Sequence, residues 1–138
     1  MRISWNKYAL NLAIEASKRS EDPYRKVGAC ALSFDNRVLG VSYNGLVSGK
    51  NVVKNFWNDR NHRRKYMIHA ETNLLSLFER GECRLIASTL LPCSYCARMI
   101  CAWGIPEVIY QEEYDNDTEG LEIFKFYGVK VKKSDNFI

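Results

Sequence analysis

The feature that most constrains this chain is a pair of short motifs, His69-Ala70-Glu71 and Pro92-Cys93-Ser94-Tyr95-Cys96. His69 offers an imidazole nitrogen, and Cys93 and Cys96 offer two thiolates that face the same way at i, i+3 on a helix. Three protein ligands of this kind hold zinc in tetrahedral geometry and leave a fourth position open to water. The fold must therefore return the second motif beside the first.

Glu71 lies two residues from His69, near the predicted metal but not needed as a ligand. A structural zinc site is the alternative, and it would need a fourth protein ligand. The other histidine is His62, and Cys30 and Cys101 lie in apolar patterns typical of core residues. The sequence therefore favours a catalytic site. Zinc would lower the pKa of a bound water to about 7, giving a hydroxide, and Glu71 would shuttle protons as general acid and base.

Apolar periodicity predicts the element order α-β-β-α-β-α-β-α-β. The predicted helices are 4–20, with Ser4 as N-cap and Trp5, Tyr8, Ala9, Leu12 and Ala13 on its apolar face, then 69–81, 92–104 and 117–127; the predicted strands are 27–32, 37–43, 84–91, 107–110 and 129–131. Residues 46–68 are expected to form an inserted loop over the site. This order predicts a single α/β domain over 1–138, a three-layer α/β/α fold with a five-stranded mixed sheet and helices on both faces.

Composition argues against several classes of protein. No apolar run approaches the roughly 20 residues that a membrane-spanning helix needs, and the first residues contain no apolar segment typical of a signal peptide. Five cysteines, an odd number, argue against a disulfide framework. The net charge of +4 is modest and suits an anionic small molecule better than a stable nucleic-acid partner. We expect a cytoplasmic protein with no membrane partner.

On its two motifs, the chain resembles the zinc-dependent cytidine/deoxycytidylate deaminase superfamily. Other segments are similar to the deoxycytidylate (dCMP) deaminases within it. These segments are Ser20-Glu21-Asp22-Pro23, Val27-Gly28-Ala29, Tyr43-Asn44-Gly45, Asn73 and the strand that contains Val108-Ile109-Tyr110. The resemblance implies the cytidine-deaminase-like fold and the hydrolytic deamination of dCMP to dUMP and ammonia, a step that feeds dTMP synthesis.

The resemblance also implies roles for individual residues. Asn44 would address the sugar hydroxyl of the substrate, and the backbone amide of Ala70 would hold the pyrimidine carbonyl. Members of the family are often hexamers that dCTP activates and dTTP inhibits, with Mg²⁺ on the triphosphate. On this basis the expected effector-binding residues are Gly45, Lys50 and Arg80.

Basic and aromatic residues outside the motifs are further candidates for substrate contacts. Arg25, Lys26 and Lys50 could hold a 5′-phosphate or could be solvated surface charges. Tyr114 could contact the nucleotide or pack at the end of a strand. We predict Lys26 and Tyr114 as substrate-binding residues.

Two other functions stay open at this point. One is a polynucleotide deaminase that acts on tRNA or single-stranded DNA, which should show a broader basic face and base-flipping loops. The other is a catalytically inactive homologue that senses nucleotides, although the intact set of His69, Glu71, Cys93 and Cys96 speaks against it.

Overall fold

The computed structural model describes residues 1–113 and 117–134, and its centre is a five-stranded mixed sheet. The strands are β1 (Gly28–Ser33), β2 (Val38–Tyr43), β3 (Cys83–Leu90), β4 (Glu107–Glu112) and β5 (Lys130–Lys133). Their order in the sheet is β2-β1-β3-β4-β5. β1 runs antiparallel to both of its neighbours, whereas β3, β4 and β5 run parallel to one another. The predicted mixed sheet is confirmed.

Helices lie on both faces of this sheet. They are α1 (Trp5–Ser17) on one face and α3 (Ala70–Leu75), α4 (Ser94–Ala102) and α5 (Glu119–Phe126) on the other. Alternate residues of β1 show the two sides, because Cys30 and Leu32 pack with α1 whereas Ala29 and Ala31 pack in the second cluster. The three-layer α/β/α architecture is therefore confirmed. Among the helices described, none is long and apolar enough to cross a membrane.

Several predicted boundaries were wrong. The helix expected over 69–81 ends at Leu75, and turn residues lead from there to Gly81, whose φ of 94° suits a glycine. The inserted segment 46–68 contains a 3-10 helix (Lys54–Asn58), which includes Phe56 and Trp57, and α2 (Arg60–Arg63).

The predicted N-cap of α1 is confirmed, but its predicted apolar face is only partly right. Ser4 Oγ accepts a hydrogen bond from Lys7 N at 3.1 Å. Ala9 and Ala13 are fully buried, as expected, whereas Trp5 is 51% exposed and Tyr8 is 37% exposed. The reason is that the buried face of α1 runs through Ala9, Leu10 and Ala13, where the helix approaches β1 closely, and Trp5 and Tyr8 lie at its edge.

Gly28 permits this close approach. A Cβ atom at position 28 would lie 1.9 Å from the backbone O of Ala13 and 2.6 Å from the backbone N of Ser17. Neither backbone atom can move without displacing α1 from the sheet. Gly45 offers a comparison, because a Cβ atom there would meet no atom within 4 Å.

We therefore expect Gly28→Ala to lower the free energy of unfolding by about 1–3 kcal/mol, the range for an overpacked core. Urea denaturation followed by circular dichroism measures this difference. Gly45→Ala is the matched control and should change stability by less than about 0.5 kcal/mol. Similar losses in the two variants would show that the contact between Gly28 and Ala13 is not what limits the packing of α1.

Candidate active site

The three predicted metal ligands converge beside the carboxyl end of β3. His69 Nδ1 lies 3.6 Å from Cys93 Sγ and 3.4 Å from Cys96 Sγ, and the three ligand atoms all lie within 4.8 Å of one another. Tetrahedral zinc, with bonds of about 2.0 Å to nitrogen and 2.3 Å to sulfur, separates such atoms by about 3.6 Å. The donor set and its spacing therefore fit Zn²⁺.

The ligands are placed by the first turns of two helices. His69 is the N-cap of α3 and Cys93 is the N-cap of α4. The positive end of a helix dipole stabilises a thiolate. A hydrogen bond from Cys96 lowers the pKa of Cys93 to about 4, and the same interaction raises the pKa of Cys96. One thiolate is thus present at neutral pH, and metal binding would displace the second thiol proton.

Glu71 is buried in the first turn of α3, with 4% of its surface exposed. Its Oε1 lies 2.7 Å from the Oγ of Ser88, a fully buried residue of β3. Burial raises the pKa of the Glu71 carboxyl above its usual range, and the hydrogen bond from Ser88 opposes that shift. A carboxyl group in these surroundings is suited to gaining and losing a proton.

The end of β2 is tied to the start of α3, which brings Asn44 to the site. Gly45 and Ile68 form a backbone bridge, Ser42 Oγ donates to Ala70 O, and Asn73 Nδ2 donates to Tyr43 O at 3.1 Å. These contacts connect the turn after β2 to the residues on either side of His69.

The Asn44 side chain is oriented by its own hydrogen bonds. Nδ2 donates to Arg25 O at 2.9 Å and to Asp22 Oδ2 at 3.4 Å, and Oδ1 accepts from Val27 N at 2.9 Å. An amide oxygen can accept two hydrogen bonds, so Oδ1 keeps one acceptor position while both amide hydrogens are engaged. Toward a ligand, Asn44 therefore offers an acceptor, which suits a hydroxyl group.

These groups share one cavity of about 940 Å³, a size typical of small-molecule sites. Its lining includes His69, Ala70, Glu71, Cys93 and Asn44. The cavity therefore brings two of the three predicted ligands, the predicted acid/base and two predicted substrate-binding residues to a single space.

Other predicted residues lie elsewhere. Lys26 borders a neighbouring cavity of about 380 Å³, and its Nζ donates to Ser20 O. Arg80 Nε donates to Ala102 O at 2.7 Å, at the end of α4. Neither they nor Gly45 and Lys50 line the larger cavity. Tyr114 lies outside the described residues.

Sequence reasoning missed three residues that the structure brings to the site. Ser88 contacts Glu71, and Asp22 links Asn44 to Arg63, whose Nη2 lies 3.2 Å from Asp22 Oδ2. Asp22 belonged to a motif noted only for its resemblance. Ser88 and Arg63 carried no signal, because an apolar strand and a basic run are ordinary surroundings for such residues.

Comparison with known proteins agrees with this geometry. The family model for the cytidine and deoxycytidylate deaminase zinc-binding region matches residues 3–112. Human deoxycytidylate deaminase is 31% identical over 95% of this chain and 80% of its own length, and the mouse protein is 30% identical over the same shares. Deoxycytidylate deaminase of Mycobacterium phage D29 is 33% identical over 81% of this chain and 98% of its own.

Solved structures show the same fold. The dCMP deaminase from cyanophage S-TIM5, crystallised in complex with dCMP and dUMP, superposes with a TM-score of 0.79. It is 25% identical, and the match covers 96% of this chain and 98% of that one. The matched family region contains His69, Cys93 and Cys96, whose ligand atoms converge, and Glu71 beside them. The chain therefore belongs to the zinc-binding cytidine and deoxycytidylate deaminase family.

Proposed function

We propose that this protein is a dCMP deaminase, which converts dCMP and water to dUMP and ammonia. The observation that carries the proposal is the buried Glu71 carboxyl beside His69, Cys93 and Cys96, in a cavity large enough for a nucleotide. The relatives named deoxycytidylate deaminase and the cyanophage enzyme with dCMP and dUMP support the choice of this nucleotide.

In the proposed reaction, Glu71 moves protons while the other residues hold the substrate. Zinc held by His69, Cys93 and Cys96 would supply the charge that makes water nucleophilic near neutral pH. Glu71 takes a proton from the attacking water and passes it to ring N3 as the water oxygen bonds to C4. Glu71 then carries the remaining proton of that oxygen to the amino group, the C4–N bond breaks, and ammonia leaves a C4 carbonyl. Asn44 accepts a hydrogen bond from the sugar hydroxyl, and the backbone amide of Ala70 donates to the pyrimidine carbonyl.

Ser88 is suited to support proton transfer by Glu71, because its Oγ lies 2.7 Å from both Glu71 Oε1 and Leu90 O. A hydroxyl has one hydrogen to donate and can also accept. When Glu71 is ionised, Ser88 donates to it; when Glu71 carries the proton, Ser88 accepts from Glu71 and donates to Leu90 O. The same contact therefore serves both protonation states of Glu71.

The proposed allosteric regulation and the proposed hexamer rest on the family resemblance alone. We infer activation by dCTP and inhibition by dTTP, each with Mg²⁺, in a cytoplasmic homohexamer, with Gly45, Lys50 and Arg80 as effector residues. Assays with added dCTP or dTTP test the regulation, and light scattering after gel filtration tests the hexamer. Unchanged rates with both effectors would remove the regulatory part and leave the reaction in place.

The proposed function is tested by ammonia release. Purified protein should release ammonia from dCMP and form an equal amount of dUMP, detected by chromatography. Single-stranded DNA and tRNA containing cytosine should yield no uracil, because the modest charge of the chain does not favour polynucleotides. Absence of ammonia from dCMP, with and without dCTP, would overturn the proposal.

Metal content should follow the predicted ligands. We expect one zinc per chain by atomic emission spectrometry and a large loss of zinc in Cys93→Ser, because a tetrahedral site loses a thiolate. Chelation should abolish turnover, and added Zn²⁺ should restore it. Cys101→Ser is the matched control, since this half-buried cysteine of α4 lies outside the ligand cluster and should retain zinc. Full zinc in Cys93→Ser would exclude Cys93 as a ligand.

Glu71 and Ser88 should affect the rate without affecting the metal. Glu71→Gln is expected to lower kcat by about 100- to 10,000-fold, the range for a general acid/base, with zinc content unchanged. Ser88→Ala should lower kcat by about 10- to 100-fold, because Glu71 loses the partner that orients it. Steady-state kinetics on dCMP measure both. A Glu71→Gln variant with normal turnover would contradict the proposed proton transfer.

A further inference from the structure

The segment that contains α2 supplies most of the positive charge of the active-site cavity. Arg60, Arg63 and Arg64 all line the cavity, joined by Arg25 from the turn before β1. Arg60 and Arg64 form no salt bridge with any residue that the structure describes. Two guanidinium groups at the cavity are therefore not neutralised by a protein carboxylate.

Arg63 differs from them because it is buried, with 7% of its side chain exposed. Its Nη2 lies 3.2 Å from Asp22 Oδ2, and its guanidinium lies 4.7 Å from the centre of the Tyr24 ring. Arg63 Nε is buried without a hydrogen-bond partner in the described part of the chain. A buried ion pair with an unsatisfied donor is a poor source of stability, which points to a role in function.

That role follows from the position of Asp22. Asp22 is 2% exposed and lines the same cavity. Without Arg63, its carboxylate would repel an anionic ligand across a medium of low dielectric constant. Arg63 therefore neutralises the carboxylate and leaves Arg60 and Arg64 available to the ligand.

The segment is also held in place, which fixes where the guanidinium groups lie. Asp59 caps α2 by accepting from Asn61 N and His62 N, both at 3.0 Å. Tyr24 OH donates to Trp57 O, and the Arg60 guanidinium lies 5.5 Å from the Tyr24 ring centre. These contacts join the segment to the 20–26 turn. The positive side of the cavity, formed by Arg60, Arg63 and Arg64, is therefore organised before a ligand binds.

The guanidinium groups on this side of the cavity are suited to binding a phosphate monoester. Such a group carries about −1.5 to −2 charges at pH 7, and guanidinium groups bind its oxygens in bidentate geometry. Asp117 and Glu119, at the start of α5, also line the cavity, so an anionic group is expected on the side formed by α2.

We propose that α2 and the adjoining Arg64 recognise the 5′-phosphate of the substrate. Arg60 and Arg64 contact the phosphate oxygens, and Arg63 acts as a positioning residue that neutralises Asp22. The inference rests on the proposed function and adds to it the element by which the chain selects a nucleotide over a nucleoside.

The first experiment compares dCMP with deoxycytidine in the double variant Arg60→Gln/Arg64→Gln. We expect kcat/KM for dCMP to fall by about 100-fold, mostly through KM, since each charge-assisted contact is worth about tenfold or more. The kcat/KM for deoxycytidine should change by less than about threefold, because a nucleoside has no phosphate for Arg60 and Arg64 to contact. Both side chains are exposed, so folding should be unaffected.

Lys65→Gln is the matched control. It removes one positive charge from the residue next to Arg64, but Lys65 is exposed and does not line the cavity. It should change kcat/KM for dCMP by less than about twofold, since exposed charges at a distance are screened. An equal loss in Lys65→Gln and Arg64→Gln would contradict direct contact, as would equal losses with dCMP and deoxycytidine.

The role of Arg63 is tested by removing its charge alone and then together with the charge of Asp22. Arg63→Gln should raise KM for dCMP, and the neutral pair Asp22→Asn/Arg63→Gln should recover at least part of the loss. A purely structural role predicts the same changes in KM for deoxycytidine, which carries no phosphate, whereas the neutralising role predicts them for dCMP alone. If Arg63→Gln does not fold, the neutral pair is compared directly with wild type. A loss of dCMP affinity as large as that of Arg60→Gln/Arg64→Gln would then overturn the neutralising role.

A binding measurement separates this inference from the proposed reaction. dUMP should raise the melting temperature of the wild-type protein more than deoxyuridine does, and Arg60→Gln/Arg64→Gln should abolish the difference. This result would support the phosphate site even if no ammonia were released from dCMP. Equal effects of dUMP and deoxyuridine on the wild-type protein would overturn it.

Discussion

The structure depends on one constraint, the convergence of three metal ligands from two distant segments of chain. Donor atoms must come within a few ångströms of one ion, yet His69 and Cys93 are separated by a helix, a turn and a strand. Both residues are helix N-caps beside the same end of the sheet. The α3-β3-α4 unit is therefore the part of the fold that the metal centre requires, and the outer strands extend the sheet around it.

The requirements of the chemistry explain which polar groups are buried. A proton-carrying carboxyl must lie away from bulk water and still have a partner in each of its protonation states. Glu71 meets this condition because it is buried and because Ser88, on β3, can either donate to it or accept from it. β3 contributes the Ser88 hydroxyl at a fully buried position, where an apolar side chain would favour stability.

The proposed reaction and the proposed phosphate recognition involve different elements. The α3-β3-α4 unit holds the ligands and Glu71, whereas the 20–26 turn, Asn44 and the α2 segment surround the rest of the cavity. A buried pair between Arg63 and Asp22 joins the α2 segment to the 20–26 turn.

The sequence by itself determined the α/β/α architecture and predicted His69, Cys93 and Cys96 as metal ligands and Glu71 as the acid/base, because ligand type, spacing and strand alternation are local properties. It also indicated Asn44, through a short motif. Only the tertiary structure decided the partners of these groups, including the contact of Ser88 with Glu71 and the burial of Arg63 against Asp22. It also placed Lys26 outside the main cavity and Trp5 at the surface. The physical reason is that burial and ion pairing depend on which distant segments come together, and a linear pattern does not contain that information.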